Sequence, residues 1–565
     1  MTIRSDFEAI ILSKKRVRFL SKPDIMKRED DDGVGYIADS HLLRPSPLRQ
    51  QEMALLKVPR TGSRSISVSS SVSDLEEPIY DSENLSSRRN LESTFNLRLV
   101  FAIAAAALSS AFQHGYNTGV VNAPQQLIKD WISDIELNRT DVRPPETRVT
   151  LIWSIAVSIF CAGGMIGGAI TGLIADRFGR KGGLLLNNAN VIVATIFEGA
   201  AKSAGSYEML IVGRFIIGIN CGLNAGLVPM YLAEISPLNL RGAVGTVYQL
   251  VITISILVSQ ILGLESVLGT QTQWPVLLAI AVVPALLQLA TLPLCPESPK
   301  YLLLTRGQEL EAQRALSWLR GSIEVHDEME EMRSEYESMK LVPKVTLREL
   351  ITNNALRIPL IISLAIMVAQ QLSGINAVIF YSTEIFKTAK LTETTAQYAT
   401  LGIGVINVFM TVVSLVLVEK CGRRSLLFVG FLGMCIDTVL LTITLMYAGN
   451  PESLWVSYLA IVLVLIFIVM FATGPGSIPW FLVSELFSQS ARPAATSLAV
   501  AVNWTANFMV GLGFLPLQEV MGPYVFIIFA ILQALTVLFI WKKVPETKNK
   551  TMEEISSMFR QQSYQ

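Results

Sequence analysis

Ala369-Gln370-Gln371-Leu372-Ser373-Gly374-Ile375-Asn376-Ala377-Val378-Ile379-Phe380-Tyr381 carries three carboxamides and a glycine inside an apolar run, residues 356–386, that is long enough to cross a membrane. Amides at the middle of a hydrocarbon layer must find partners. They offer donors and acceptors together, which suits a neutral ligand covered in hydroxyls, and a hexose is such a ligand. Gly374 can loosen the helix between its two halves. A helical rise over the five residues from Gln371 to Asn376 separates them by ~7 Å, about the length of a hexose ring. The alternative is that these amides glue neighbouring helices, as in many membrane bundles.

The rest of the chain sets that stretch in a membrane. Its 565 residues are 51% hydrophobic and only 16% charged, which is the composition of a polytopic membrane protein. Lys plus Arg equals Asp plus Glu, so net charge gives no reason to expect a nucleic-acid partner. Cys161, Cys221, Cys295, Cys421 and Cys435 lack metal-ligand or disulfide spacing and read as free thiols. The histidines, His41, His114 and His326, are too few for a metal cluster, and no cofactor is expected.

Residues 1–95 are polar, with a basic start and a serine-rich run from Ser63 to Ser73, and read as a disordered cytoplasmic tail without a secretory signal. Arg60 before Ser63 and Arg64 before Ser67 suit a basophilic kinase. From Leu97 on, twelve apolar segments follow, at about 97–121, 150–174, 182–203, 206–234, 241–264, 274–295, 356–386, 395–418, 424–447, 454–484, 493–518 and 522–542. A mixed-charge loop at 122–149 holds the sequon Asn138-Arg139-Thr140. A charged stretch at 296–355, with Leu310, Ala315, Leu316 and Leu319 at helical spacing, divides the segments six and six. The expected architecture is an all-α membrane protein: a six-helix bundle at 96–295, a cytoplasmic helical linker at 296–355, a second six-helix bundle at 356–543 and a cytoplasmic tail at 544–565.

Basic residues of the short loops, among them Arg177, Arg180, Lys181, Arg241, Lys420, Arg423, Arg424 and Arg492, fall on the side shared with both tails. Positive loops stay inside, so both termini are expected in the cytoplasm and Asn138 outside, where glycosylation can reach it. The second triplet, Asn503-Trp504-Thr505, lies within a span and is expected to stay unmodified.

The halves repeat each other. Asp176-Arg177-Phe178-Gly179-Arg180-Lys181 returns as Glu419-Lys420-Cys421-Gly422-Arg423-Arg424, Glu234 with Arg241 as Glu485 with Arg492, and Pro296-Glu297-Ser298-Pro299 as Pro545-Glu546-Thr547-Lys548, all at offsets between 243 and 251. Paired six-helix repeats suit alternating access around a midplane site. Positive-inside placement accounts for the basic residues but not for the repeated acids. Arg177, Glu234, Arg241, Glu419, Arg423, Glu485 and Arg492 are therefore expected to form a cytoplasmic gate of ion pairs, whose net energy can be small because desolvation opposes attraction.

The strings GRKGG, PESPKYLL, QQLSGINAV, GPGSIPWF, VNWTANF and VPETK resemble the facilitative glucose transporter family, sugar porters of the major facilitator superfamily, from about Leu97 to about Arg560. The resemblance implies the major facilitator fold of twelve helices around a central sugar site, in a multi-pass protein of the plasma membrane lipid bilayer. It implies Gln249, Gln370, Gln371, Asn376, Asn407, Trp480 and Asn503 as sugar-binding residues, with Ile252, Ile256, Phe471 and Trp504 as apolar walls. Amides and indoles suit a pyranose, whose hydroxyls bond and whose C–H face stacks. Departures from the family pattern are Met367-Val368-Ala369 for a polar triplet, Ala472 for an acid, Ser477 for a proline and His114 for phenylalanine. Proton-coupled relatives carry Gly-Tyr-Asp on the first helix where this chain has Gly115-Tyr116-Asn117. An amide does not titrate, so a uniporter is expected, carrying glucose and, more weakly, fructose. The alternatives are a proton-coupled symporter and a sugar sensor that does not turn over; an enzyme would need paired acids, a nucleophile or a metal site, and the sequence offers none.

Overall fold

Chain composition alone demands that every backbone polar group in the hydrocarbon layer be paired within its own segment, and the observed solution is helical throughout. The computed structural model describes residues 96–563 except 238–239, 341–344, 449–453, 489, 549 and 551. The expected tail, its serine run and the kinase patterns lie outside the described residues.

The first half opens at Asn96, whose side chain caps α1 (Leu97–Gly119) by accepting the Arg98 N–H. Next comes α2 (Gln125–Thr140), where a loop is expected from the charge pattern. Ile128, Trp131, Ile132 and Ile135 are buried along one face of it, so tertiary packing of an apolar stripe overrides the polar composition. Long helices α3 (Glu146–Phe178), α4 (Arg180–Ala204), α5 (Tyr207–Ile235) and α6 (Arg241–Leu262) follow, and a span broken into α7 (Trp274–Ala279) and α8 (Val282–Thr291) ends the half. Glycines let α3 and α5 touch backbone to backbone: a Cβ on Gly218 would lie 2.1 Å from the Phe160 carbonyl oxygen, and one on Gly222 2.1 Å from that of Gly164.

The linker folds as α9 (Glu309–Arg320), α10 (His326–Lys340) and α11 (Leu347–Thr352), the last started by a capping box between Thr346 and Glu349. Ala312, Ala315, Leu316 and Leu319 form the buried face of α9, whereas Leu310, expected on that face, is exposed.

In the second half, α12 (Asn354–Leu372) and α13 (Ile375–Thr388) make one broken span. Then come α14 (Glu393–Lys420), α15 (Arg423–Tyr447), a second broken span of α16 (Leu454–Thr473) and α17 (Ile478–Leu486), and α18 (Arg492–Met521). A three-residue turn at Gly522–Tyr524 separates α18 from α19 (Val525–Lys543), and α20 (Met552–Ser563) closes the chain. Eleven apolar stretches are long enough to cross a membrane, and the last, Arg492–Lys543, contains both α18 and α19. That makes twelve crossings among the described residues.

The bundles meet along two pairs related by the repeat, α3 with α18 and α6 with α14. At the end of the molecule that carries α2 they are bonded together. Asn122 Nδ2 donates to the Ile379 carbonyl (2.8 Å) and to Ser382 Oγ (2.6 Å), and Asn122 Oδ1 accepts the Thr383 N–H (3.2 Å). Gln125 Nε2 reaches Glu384 (3.4 Å), and Thr150 Oγ1 donates to Glu519.

Candidate functional site

Two helix breaks in the second bundle face each other and are tied by one side chain. At Gly374 the chain takes φ +94°, a conformation that only glycine adopts cheaply, and this ends α12 and starts α13. At Gly474-Pro475-Gly476 the span of α16 and α17 unwinds, freeing carbonyls. Gln370 Nε2 donates to the Pro475 and Gly476 carbonyl oxygens at 2.8 and 2.9 Å. The amide therefore pays the polar debt of a broken helix.

Around it the other carboxamides form one cluster. Gln371 Nε2 donates to Asn503 Oδ1 (3.0 Å), Asn503 Nδ2 donates to Gln370 Oε1 (3.0 Å) and the Met367 carbonyl (3.2 Å), and Asn376 Nδ2 donates to Gln371 Oε1. The helical rise of ~7 Å between Gln371 and Asn376 does not keep their side chains apart, because the helix is interrupted at Gly374. The break at Gly374 folds them together. Asn503 is buried in that cluster, so its Asn-x-Thr triplet is closed to modification.

The remaining expected site residues are placed as follows. Trp504 follows Asn503 on α18 and packs into the first bundle, with its ring in edge contact with Phe160 (centroids 6.1 Å) and stacked with His114 (6.1 Å), whose Nδ1 lies 3.1 Å from Tyr248 Oη. Gln249 is exposed on α6, one position past that tyrosine, and Trp480 on α17 is 43% exposed. Asn407 on α14 is half-buried and stands outside the amide cluster. Ile252 and Ile256 press on α1 at Gly115 and Gly119, and Phe471 lies against Gly476. The structure thus gathers Gln370, Gln371, Asn376 and Asn503, and leaves Gln249, Asn407 and Trp480 unbonded to that group.

At the linker end the internal repeat is reproduced in atoms. In the first bundle Arg180 pairs with Glu234 (2.9 Å), Ser298 Oγ also donates to Glu234, and Glu297 accepts the backbone N–H groups of Arg180 (3.0 Å), Lys181 (2.9 Å) and Gly182 (3.2 Å). In the second, Arg423 pairs with Glu485 (3.1 Å), Thr547 Oγ1 donates to Glu485 (2.5 Å), and Glu546 accepts the N–H groups of Arg423 (2.8 Å) and Arg424 (3.2 Å). A carboxylate on the unpaired N–H groups of a helix start is favoured by both hydrogen bonding and the helix dipole. Arg180, Glu297 and Glu546 were not among the expected gate residues, although the Pro-Glu repeat pointed at two of them. Arg177 places its guanidinium over Phe178, and its carbonyl accepts from Arg306 (2.8 Å). Arg492 donates to the Phe487 carbonyl at 3.4 Å, while its Nε is buried without a partner. The side chains of Arg241 and Glu419 lie outside the described residues.

Residues 102–559 match the family model described as "Sugar (and other) transporter". The chain belongs to this sugar transporter family. It is 49% identical over 463 residues to "Facilitated glucose transporter protein 1" of Caenorhabditis elegans, covering 82% of this chain and 90% of the relative. It is 46% identical over 466 residues to "Solute carrier family 2, facilitated glucose transporter member 3" of Homo sapiens, covering 82% and 93%. Among solved structures it is similar to the inward open conformation of the xylose transporter XylE from E. coli, with a TM-score of 0.68 and 26% identity over 81% of this chain and 99% of that one. The all-helical, twice-six arrangement expected of this sugar transporter family is the one observed.

Proposed function

We propose that this sugar transporter is a facilitative uniporter that moves D-glucose down its gradient by alternating access, with weaker transport of fructose. The observation that carries the reading is the amide cluster at the joint of two broken helices, in a chain about half identical to a protein named as a facilitated glucose transporter. In this state the amides satisfy each other, and a sugar hydroxyl that enters exchanges one hydrogen bond for another. Such exchange gives a weak site, as turnover requires: a millimolar affinity is about 4 kcal/mol. Gln370, Gln371, Asn376 and Asn503 are the ligands from the second bundle, joined by Asn407 and Trp480 when the cavity closes, with Gln249 from the first; Ile252, Ile256, Phe471 and Trp504 are its walls.

The hydrogen bonds that join the bundles at the α2 end fit a conformation closed there and open toward the linker. Positive loops put that side, with both termini, in the cytoplasm of a plasma-membrane protein. Asn138 then lies outside, exposed in the last turn of α2, with its sequon Thr140 donating to the Glu136 carbonyl (2.8 Å), and is a glycosylation site. In the opposite state Arg177, Glu234, Arg241, Glu419, Arg423, Glu485 and Arg492 hold the linker end shut. Uptake of labelled glucose into proteoliposomes tests the function: rapid equilibration supports it, and binding without uptake supports a sensor.

Proton-driven symport is the second reading, since the solved relatives include the "proton:xylose symporter XylE". Asn117, a neutral amide whose Nδ2 donates to the Gln113 carbonyl (2.8 Å), argues for the uniporter. A protonophore that abolished accumulation would reverse that choice.

A further inference from the structure

Away from the sugar site, one buried acid and one buried base stand close together with unused hydrogen-bonding atoms. Glu198 on α4 is 0% exposed and Arg214 on α5 is 1% exposed. Both carboxylate oxygens of Glu198, and Nε and Nη1 of Arg214, are buried without a protein partner, as is Asn117 Oδ1. The acid seats against α5 at Gly213, where an added Cβ would lie 2.6 Å from Glu198 Cγ, so it sits one residue from its arginine. Arg214 lies 4.7 Å from the centroid of the Phe160 ring, gives Nη2 to the Asn117 carbonyl (3.1 Å), and lies among Trp153, Leu210 and Leu278.

The titratable groups facing the pair can be named from each element around it. Arg214 is the charge that acts on Glu198; Tyr116 of α1 also faces the acid; Cys221 of α5, Cys161 of α3 and Tyr381 of α13 face the arginine. Tyr116 and Tyr381 have hydroxyls committed to the Leu277 and Gly511 carbonyls, both at 2.7 Å. A counter-ion serving only stability would be bonded to its arginine. Here the two are adjacent and unbonded, and an ionised group buried without partners is costly enough that a proton or a rearrangement removes it.

We propose that Glu198, set against Arg214, is a proton-binding site that regulates the rate of transport without driving accumulation. The proposal rests on the uniport reading above. When Glu198 takes a proton, Arg214 loses its one nearby carboxylate. The uncompensated guanidinium lies beside Tyr381 of α13, the segment that bonds to Asn122 at the closed α2 end, so acid weakens that closure and slows the cycle. No proton need cross the membrane, because the acid itself sits in the first bundle, on α4, apart from the amide cluster of the second.

The test is glucose equilibrium exchange in proteoliposomes with the same pH on both sides, which removes any gradient. The wild-type rate is expected to fall by roughly threefold or more between about pH 7.5 and about pH 5.5. Glu198→Gln is expected to give a flat profile at the acid rate, with the sugar still reaching equal concentrations inside and outside. A flat wild-type profile, or an unchanged profile in Glu198→Gln, overturns the proposal. If Glu198→Gln does not fold, Glu198→Asp keeps the acid at a different distance and is expected to move the midpoint of the profile; an unmoved midpoint overturns the proposal. Absence of glucose exchange at every pH would instead overturn the uniport reading.

Discussion

A carboxamide in a membrane interior has four hydrogen bonds to place, and the way each glutamine places them separates scaffolding from binding. Gln370 spends its N–H donors on the two carbonyls freed at Pro475 and Gly476. Gln370→Ala is expected to leave both unpaired, costing about 1–3 kcal/mol, visible as a lower unfolding temperature in detergent together with lost uptake. Asn407→Ala, at a half-buried side chain outside the cluster, is expected to raise the KM for glucose and leave the unfolding temperature unchanged. Trp480 is a large flat donor, 43% exposed in this state, and Trp480→Ala is expected to cut glucose transport far more than fructose transport; equal loss of both sugars would remove it as the selector. At this scale the sequence shows which side chains are polar in the wrong solvent, but not which of them bond to each other. Amides used purely as glue look identical in the sequence: Asn188 on α4 bonds Gln288 (2.8 Å) and accepts from Gln113 (3.2 Å), knitting the first bundle together.

At the level of elements, backbone strain and helix ends carry the design. Gly374 combines φ +94° with the Phe529 ring 3.2 Å from where a Cβ would stand, so Gly374→Ala is expected to destabilise the protein by about 1–2 kcal/mol and to impair transport. Glu297 and Glu546 hold the starts of α4 and α15, and loss of the charge in Glu546→Gln is expected to weaken the cap on Arg423 and free Glu485 to seek other partners. Thermal unfolding of Glu546→Gln beside Glu297→Gln checks whether the two caps are equivalent. Span positions were legible because twenty apolar residues have few alternatives. The interruptions were only half legible: Gly374 and Pro475 are visible as glycine and proline, yet the bond between the two breaks is a tertiary fact. The helix α2 is hidden in the sequence by its mixed charge, which masks the helical spacing of Ile128, Trp131, Ile132 and Ile135.

For the whole molecule, the internal repeat gives two six-helix bundles that carry matching charge clusters at their linker ends. The ion pairs Arg180 with Glu234 and Arg423 with Glu485 each lie within one bundle, so their acids are already engaged in this structure. In the proposed gate additional arginines would have to join these acids when the bundles close, and Arg492, with its buried unpaired Nε, is a candidate. Arg492→Ala is expected to shift the population toward the inward-facing state, because a substitution moves such an equilibrium only through interactions that differ between its states. Reduced access of an inhibitor that binds from outside checks this, and unchanged access would count against the gate. The repeat in the sequence located the charged ends of the helices; which charges pair within a bundle and which across it depends on conformation, and no sequence carries that.

The central claim is that sugar moves through this protein down its own gradient. It is tested most directly by the steady-state ratio of labelled D-glucose inside and outside proteoliposomes holding an inward-directed proton gradient, with and without a protonophore. A ratio of one is expected in both cases, reached only when the protein is present, whereas accumulation above the external concentration that collapses with the protonophore would contradict uniport.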